Sequence, residues 1–185
     1  KNRKTLKKLE FGIGISDFFR KFKVDISHIL FKRLHESFGG HLRLLISGAA
    51  AIDPEVAKGF RQLGIPLLQG YGLTECSPIV ALNRDRAFKN DAAGLPMPGI
   101  DIRIDSPNDE GIGEIVVKGP SIMLGYYKDT KTTSQSMKHG WFYTGDLGFI
   151  DSDGFLHITG RQKNVIVTRN GKNIYPEEIE ILLNR

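Results

Sequence analysis

Gln69-Gly70-Tyr71-Gly72-Leu73-Thr74-Glu75 is the stretch around which the rest of this 185-residue chain is read. It follows a short apolar run at 65–68, interrupted by Pro66, which predicts a strand ending at the two glycines. Gly70 and Gly72 carry no Cβ, so the backbone turns tightly there and a ligand can come close. A π face (Tyr71), a hydroxyl (Thr74) and a carboxylate (Glu75) follow within five residues. An aromatic face suits a purine, a hydroxyl suits a phosphate oxygen, and a carboxylate suits a hard cation such as Mg2+. Taken alone, the stretch is equally a loop between strand and helix, its tyrosine packed and its glutamate in water.

Working upstream, the run at 42–46, apolar apart from Arg43, predicts a parallel strand buried on both faces. Ser47-Gly48-Ala49-Ala50-Ala51 follows, small enough to let something lie against the backbone. Asp53-Pro54-Glu55 is a helix start, with Asp as N-cap, Pro at the first position and Glu facing the positive dipole end. Val56, Phe60 and Leu63 are its expected buried stripe, and Gly64 its stop. Strand, helix, strand makes a βαβ unit, with Gly48 and Gly70 both at strand C-terminal ends. Ligands of open α/β sheets bind at that edge. Further upstream, Ile26, Ile29, Leu30 and Leu34 recur at helical spacing, predicting one amphipathic helix over 25–34.

Downstream of Asn83 the pattern changes. Gly94-Leu95-Pro96-Met97-Pro98-Gly99 is loop chemistry, and its prolines exclude a helix. Ile100, Ile102 and Ile104 alternate with polar residues as a half-buried strand, and Glu114-Ile115-Val116-Val117-Lys118 is a second. Asp151-Ser152-Asp153-Gly154 between apolar runs is a hairpin turn. Val165-Ile166-Val167, Asn170-Gly171 and Asn173-Ile174-Tyr175 form another hairpin, and Pro176-Glu177-Glu178 opens a helix. The expected fold is α/β plus β. Residues 1–83 supply a βαβ piece of a larger parallel sheet. Residues 84–160 supply a small antiparallel, barrel-like subdomain. Residues 161–185 supply a hinge and the first hairpin and helix of a truncated C-terminal domain.

Composition narrows the class. The chain is 40% hydrophobic and 25% charged, ordinary for a soluble globular protein. No apolar run approaches the roughly 20 residues of a membrane-spanning helix. The lone Cys76 cannot form an internal disulfide, which fits a cytoplasmic setting. His28, His35, His41, His139 and His157 show no paired metal-ligand spacing. The net charge of +5 is uneven: residues 1–36 hold ten Lys/Arg against four Asp/Glu. That excess is read as a solvated helical face rather than a nucleic-acid surface, since no aromatic interleaving accompanies it, and it leaves peripheral membrane contact open.

Two later stretches share the chemistry of the first. In Tyr143-Thr144-Gly145-Asp146-Leu147-Gly148 a carboxylate sits between glycines, able to accept from two vicinal hydroxyls as an acid holds a ribose. In Gly160-Arg161-Gln162-Lys163-Asn164, Arg161 offers a planar fork of donors to ribose or phosphate.

With these cassettes in this order, together with Gly125-Tyr126-Tyr127 and Gly171-Lys172-Asn173-Ile174-Tyr175-Pro176-Glu177-Glu178, the sequence from about residue 39 onward resembles the adenylate-forming superfamily. That superfamily comprises acyl-CoA synthetases, luciferases and the adenylation domains of peptide synthetases. The resemblance implies that the backbone of Gly48, Ala49 and Ala50 lines the adenine and acyl pocket. It implies that Gln69, Gly70, Tyr71 and Gly72 line the nucleotide pocket, with Tyr71 against adenine. Thr74 would bond the α-phosphate, Glu75 would bind Mg2+, and Asp146, assisted by Arg161, would take the ribose hydroxyls. Lys163 would stand at the hinge. ATP, a fatty acid and coenzyme A are the implied substrates.

Within the family, Leu73 points to acyl-CoA ligases, since peptide-synthetase domains usually carry Pro there. Phe38-Gly39-Gly40-His41-Leu42-Arg43-Leu44-Leu45-Ile46-Ser47-Gly48 and Asn173-Ile174-Tyr175-Pro176-Glu177-Glu178 look most like long-chain fatty-acid ligases. An amino- or aryl-acid adenylating enzyme, or a non-catalytic nucleotide-binding module, is the alternative. Val167 stands where many members carry Lys, so that contact is not expected. The family's phosphate loop with its lysine is expected before residue 1 and its C-terminal catalytic lysine after residue 185. The chain is therefore expected to be an excerpt of a longer enzyme, inactive in adenylation by itself.

Overall fold

A computed structural model describes residues 2–48, 52–170 and 173–183. Helix α1 (Asn2–Lys21) opens the chain and packs near α2 (Ser27–Leu30), which in turn meets α3 (Lys32–Ser37). The single amphipathic helix expected over 25–34 is thus two short ones, broken at Phe31, whose φ is −109° and ψ 28°. Nor is the apolar stripe the buried face, since Ile29 is 78% exposed. Ser27, Phe31 and His35, four apart, are buried instead. The reason lies at the end of the next helix. His35 Nε2 lies 2.9 Å from Leu63 O, and a Cβ on Gly64 would stand 2.0 Å from Ser27 Oγ. With φ at +81°, Gly64 both ends that helix and admits Ser27 against its backbone.

Strand β1 (Leu45–Ser47) leads through residues 49–51, outside the described residues, to α4 (Pro54–Gln62) and then β2 (Leu67–Gly72). The βαβ unit is present: β1 pairs with β2 in parallel, Leu45 opposite Leu67 and Ser47 opposite Gln69. Asp53 caps α4 as expected, Oδ1 accepting from Glu55 N at 2.9 Å, with Pro54 at the first position. Two details differ. Strand β1 is shorter than the run at 42–46, and among the described residues it pairs only with β2 and leaves Ile46 59% exposed. On α4 the buried residue is Ala57, while Val56 is exposed.

Strand β2 ends at Gly72, the second of its two glycines, as expected. It runs through Gln69-Gly70-Tyr71-Gly72 and pairs antiparallel with β3 (Ile79–Leu82), which pairs in turn with β4 (Leu95–Pro96). The remaining strands are β5 (Asp101–Asp105), β6 (Gly113–Lys118), β7 (Met137–Lys138), β8 (Trp141–Ile150) and β9 (Leu156–Arg161), with α5 (Thr130–Ser136) preceding β7. They form an antiparallel half-barrel in the order β5-β6-β8-β7, with β9 also on β8. The β8–β9 turn is the expected one: Asp151 Oδ1 accepts from Asp153 N at 2.9 Å and Phe155 N at 3.0 Å. Last come β10 (Ile166–Val167) and β11 (Asn173–Ile174), an antiparallel hairpin whose Gly171 lies outside the described residues, and α6 (Pro176–Leu183).

One buried cluster joins the two sheets. Cys76, Val80 and Ala81 come from the β2–β3 region, and Ile115, Val117, Phe142 and Leu156 come from the half-barrel. Fully burying a side chain such as Ile115 stabilises by roughly 1.5–3 kcal/mol. Among the described residues no helix is long and apolar enough to cross a membrane.

Candidate functional site

Three stretches far apart in sequence meet at one carboxylate. Tyr71 on β2 donates from Oη to Asp146 Oδ2 at 2.7 Å. Arg161, directly opposite Asp146 in the β8–β9 register, places Nε 2.9 Å from Oδ1. The Asp146 side chain is 8% exposed and that of Arg161 63%, so the carboxylate is sheltered while the guanidinium reaches solvent. An ion pair open to water on one side contributes little to stability, so its value is in orientation.

Local backbone chemistry explains why Asp146 points there. Val116 pairs with Tyr143 and Glu114 with Leu147, so three residues of β8 (144, 145 and 146) stand opposite Ile115 alone. Such a bulge re-aims side chains. It is pinned on both flanks. Thr144 Oγ1 donates to Ile115 O at 2.8 Å and accepts from Asp146 N at 3.1 Å, while Glu114 Oε1 accepts from Gly145 N at 3.0 Å.

Glu75 lies in the short turn Thr74–Cys76 that follows β2. Its Oε1 accepts from Tyr126 Oη at 2.9 Å, and its main-chain O accepts from Met123 N at 2.8 Å. Thr74 is exposed at the start of that turn. Cys76, fully buried beneath, has its thiol pushed up to about 11, by burial first and then by the Glu75 and Asp146 carboxylates. Both carboxylates therefore act on one buried thiol, from the same part of the molecule. Burial, then Asp146, also pushes the Tyr71 phenol well above its usual range, keeping it a donor.

Gly48 sits just past β1, where a Cβ would lie 3.9 Å from Gly70 O. Ala49 and Ala50 lie outside the described residues. Gln69 is buried with its side-chain amide committed, Nε2 donating to Asn90 O at 2.6 Å and Oε1 accepting from Ile52 N at 3.2 Å. Gly72 admits the protein rather than a ligand: a Cβ there would stand 1.8 Å from Pro78 O. The space beside Gly70 is likewise taken, by Leu82 Cδ1 at 2.9 Å. The two glycines thus let β2 and β3 close on each other. Lys163 is exposed in the turn Gln162–Asn164.

Sequence reasoning assigned no site role to Tyr126, Glu114, Thr144 or Glu177. Glu177 Oε1 accepts from Asn164 Nδ2 at 2.8 Å and Arg161 N at 3.3 Å, tying α6 to the residues around Lys163. Burial alone would raise the Glu177 carboxyl; the hydrogen bond from Asn164 leads the contacts that hold it below the usual range instead. Tyr126 did stand in a quoted cassette, Gly125-Tyr126-Tyr127, and that was its available signal.

Comparison with known proteins fits this geometry. The chain is 38% identical over 152 residues to the long-chain-fatty-acid–CoA ligase FadD15 of Mycobacterium bovis, covering 82% of this chain and 24% of that protein. It is 43% identical over 146 residues to a long-chain-fatty-acid–CoA ligase of Yersinia pestis, covering 75% and 26%. The chain thus spans about a quarter of the length of these curated relatives. Among solved structures, O-succinylbenzoate coenzyme A synthetase (MenE) of Bacillus subtilis, in complex with ATP and magnesium ion, superposes with a TM-score of 0.70 at 30% identity, covering 84% of this chain and 34% of that one. The profile of the family described as AMP-binding enzyme matches residues 11–127, more than half of the chain. Profile, relatives and fold agree: the chain belongs to the AMP-binding enzymes, the adenylate-forming superfamily.

Proposed function

We propose that this chain is the part of an acid–thiol ligase that holds the nucleotide while a carboxylate is activated. The observation that carries the reading is Asp146: a sheltered carboxylate, aimed by a pinned bulge, with a tyrosine on one oxygen and an arginine on the other. Its remaining lone pairs suit two vicinal ribose hydroxyls, with Arg161 beside them. Tyr71 then lies against adenine. The backbone of Gly48 and of residues 69–72 borders the pocket, and Thr74 bonds the α-phosphate.

Glu75 fits a cation shared with phosphates. Its Oε1 is taken by a neutral phenol, and among the described residues no hydrogen bond reaches Oε2. Among the described residues there is also no cluster of three His, Cys, Asp or Glu that would make a cage of protein ligands. One carboxylate plus substrate phosphates is how Mg2+ is usually held. When bound, the ion neutralises phosphate charge.

In the first half-reaction an oxygen of the acid's carboxylate attacks the α-phosphorus, and the bond to pyrophosphate breaks. In the second, the sulfur of coenzyme A attacks the acyl carbon, AMP leaves, and the thiol proton is lost. Both steps rest on positioning and on charge neutralisation at phosphate. Lys163, in the turn gripped by Glu177, marks the hinge between the two.

The acid is a long-chain fatty acid in this reading. The names of the curated relatives support it, as does a small-residue run beyond Gly48 with no polar group for a substrate. An aryl acid is the second reading, favoured by the likeness to MenE. Calorimetric titration of ATP into the chain tests the nucleotide site. Asp146→Ala is expected to lose about tenfold or more in affinity, the worth of a hydrogen bond to a charged group. Undiminished binding would end the reading.

A further inference from the structure

Tyr126 is 51 residues from Glu75 in sequence, yet its hydroxyl donates to Glu75 Oε1 at 2.9 Å. The same loop takes hold a second time, through Met123 N on Glu75 O at 2.8 Å. Glu75 is therefore held at its carboxylate and at its main chain. The loop is anchored in turn on α5. Tyr126 N donates to Thr133 Oγ1 at 2.9 Å, and Thr133 Oγ1 donates to Asp129 O at 2.7 Å. Asp129 caps the helix by accepting from Thr132 N at 2.9 Å.

The chemistry of the partner matters. An arginine or lysine at that position would orient the Glu75 carboxylate but also cancel its charge. A phenol orients it and leaves the charge whole. An ordinary phenol ionises only at about pH 10, so at neutral pH it is an uncharged donor. Asp146 is the contrast, paired with the Arg161 cation at 2.9 Å. One carboxylate is built to be neutralised by the protein, the other to stay charged. A glutamate on an open turn would otherwise spread over many rotamers and lose that freedom on meeting a ligand.

We propose that Tyr126 is a positioning residue: it fixes the Glu75 carboxylate so that the second oxygen is presented to the cation of a metal–nucleotide complex. This rests on the nucleotide-site reading above and goes further, assigning a role to a residue outside the nucleotide pocket.

The test is calorimetric titration of ATP into the 185-residue chain, once with Mg2+ and once with a chelator. The quantity read is the ratio of the two affinities. Tyr126→Phe is expected to lower that ratio about five- to tenfold, the loss of a hydrogen bond to a charged group. Thr133→Val, which removes the anchor of Tyr126 N and spares the hydroxyl, is expected to lower it in the same direction by less. Were Tyr126 only a tie between loop and turn, both affinities would fall together, the melting temperature would drop and the ratio would stand; that overturns the proposal. A wild-type ratio near one also overturns it, while leaving ATP binding intact. Binding in neither buffer defeats the nucleotide reading and this inference together.

Discussion

Remove the Asp146 carboxylate and two donors are left facing one another, Tyr71 Oη inside and the Arg161 guanidinium at the rim. The phenol then lacks an acceptor in a sheltered place, so Asp146→Ala is expected to destabilise the fold by about 1–3 kcal/mol, and Tyr71→Phe by about 1 kcal/mol. In the double variant the tyrosine change should add almost nothing, because its partner is already gone. Urea unfolding of the four proteins checks this, and simple additivity would refute the 2.7 Å bond. At this scale the sequence singled out Tyr71, Asp146 and Arg161, which the structure brings together, since an aromatic between glycines, an acid between glycines and an arginine each have a recognisable chemistry. It gave no role to Tyr126 and Glu177, whose work consists of holding another residue across 51 and 13 positions. No local spacing encodes such a contact.

Among the elements, the β8–β9 hairpin carries a cluster of charges at its turn. Asp151 sits in the turn, with Lys89 Nζ at 2.6 Å and His157 Nε2 at 3.0 Å. The Lys89 bond first, and then His157, holds the Asp151 carboxyl below its ordinary 3.8. Its folded form gives up the proton more readily than its unfolded form, so the contribution is complete above about pH 4 and is lost as the pH falls further. Lys89 is shifted the other way, above its ordinary 10.5, by the bonds to Asp151 and then Asp153; its contribution is complete below that value and lost as pH rises through the folded one. Asp151→Asn should therefore flatten the acid limb of stability against pH, measured by urea midpoint at successive pH values. An unchanged acid limb would exclude the turn as its source. The hairpin itself was legible from Asp151 to Gly154, as was the start of α4 from Asp53 and Pro54, because turns and caps are local chemistry. The break at Phe31 and the antiparallel pairing of β2 with β3 were not legible, because the Ser27–Gly64 contact and a partner strand seven or more residues on decide them.

Across the whole molecule, both sheets share one interior, so neither is expected to unfold alone. Ile115→Ala, deep in that interior, should cost about 2–5 kcal/mol. It should lower together the transition followed by Trp141 fluorescence on β8 and that followed by far-ultraviolet circular dichroism. Two separate transitions would contradict a shared core. The α/β-then-β order was readable from where the apolar period changes after Asn83. Which residues fuse the two sheets was not, since Cys76, Val80 and Leu156 look like any strand residues until the sheets are stacked.

The position of Cys76 has a practical consequence. A thiol wholly out of water, its ionisation moved up to about 11, cannot attack an alkylating reagent while the two sheets stay closed. Every molecule that becomes labelled must first have parted at that seam. The speed of labelling therefore clocks how often the interior breathes, with no engineered probe, and a nucleotide that clasps both sheets would slow the clock.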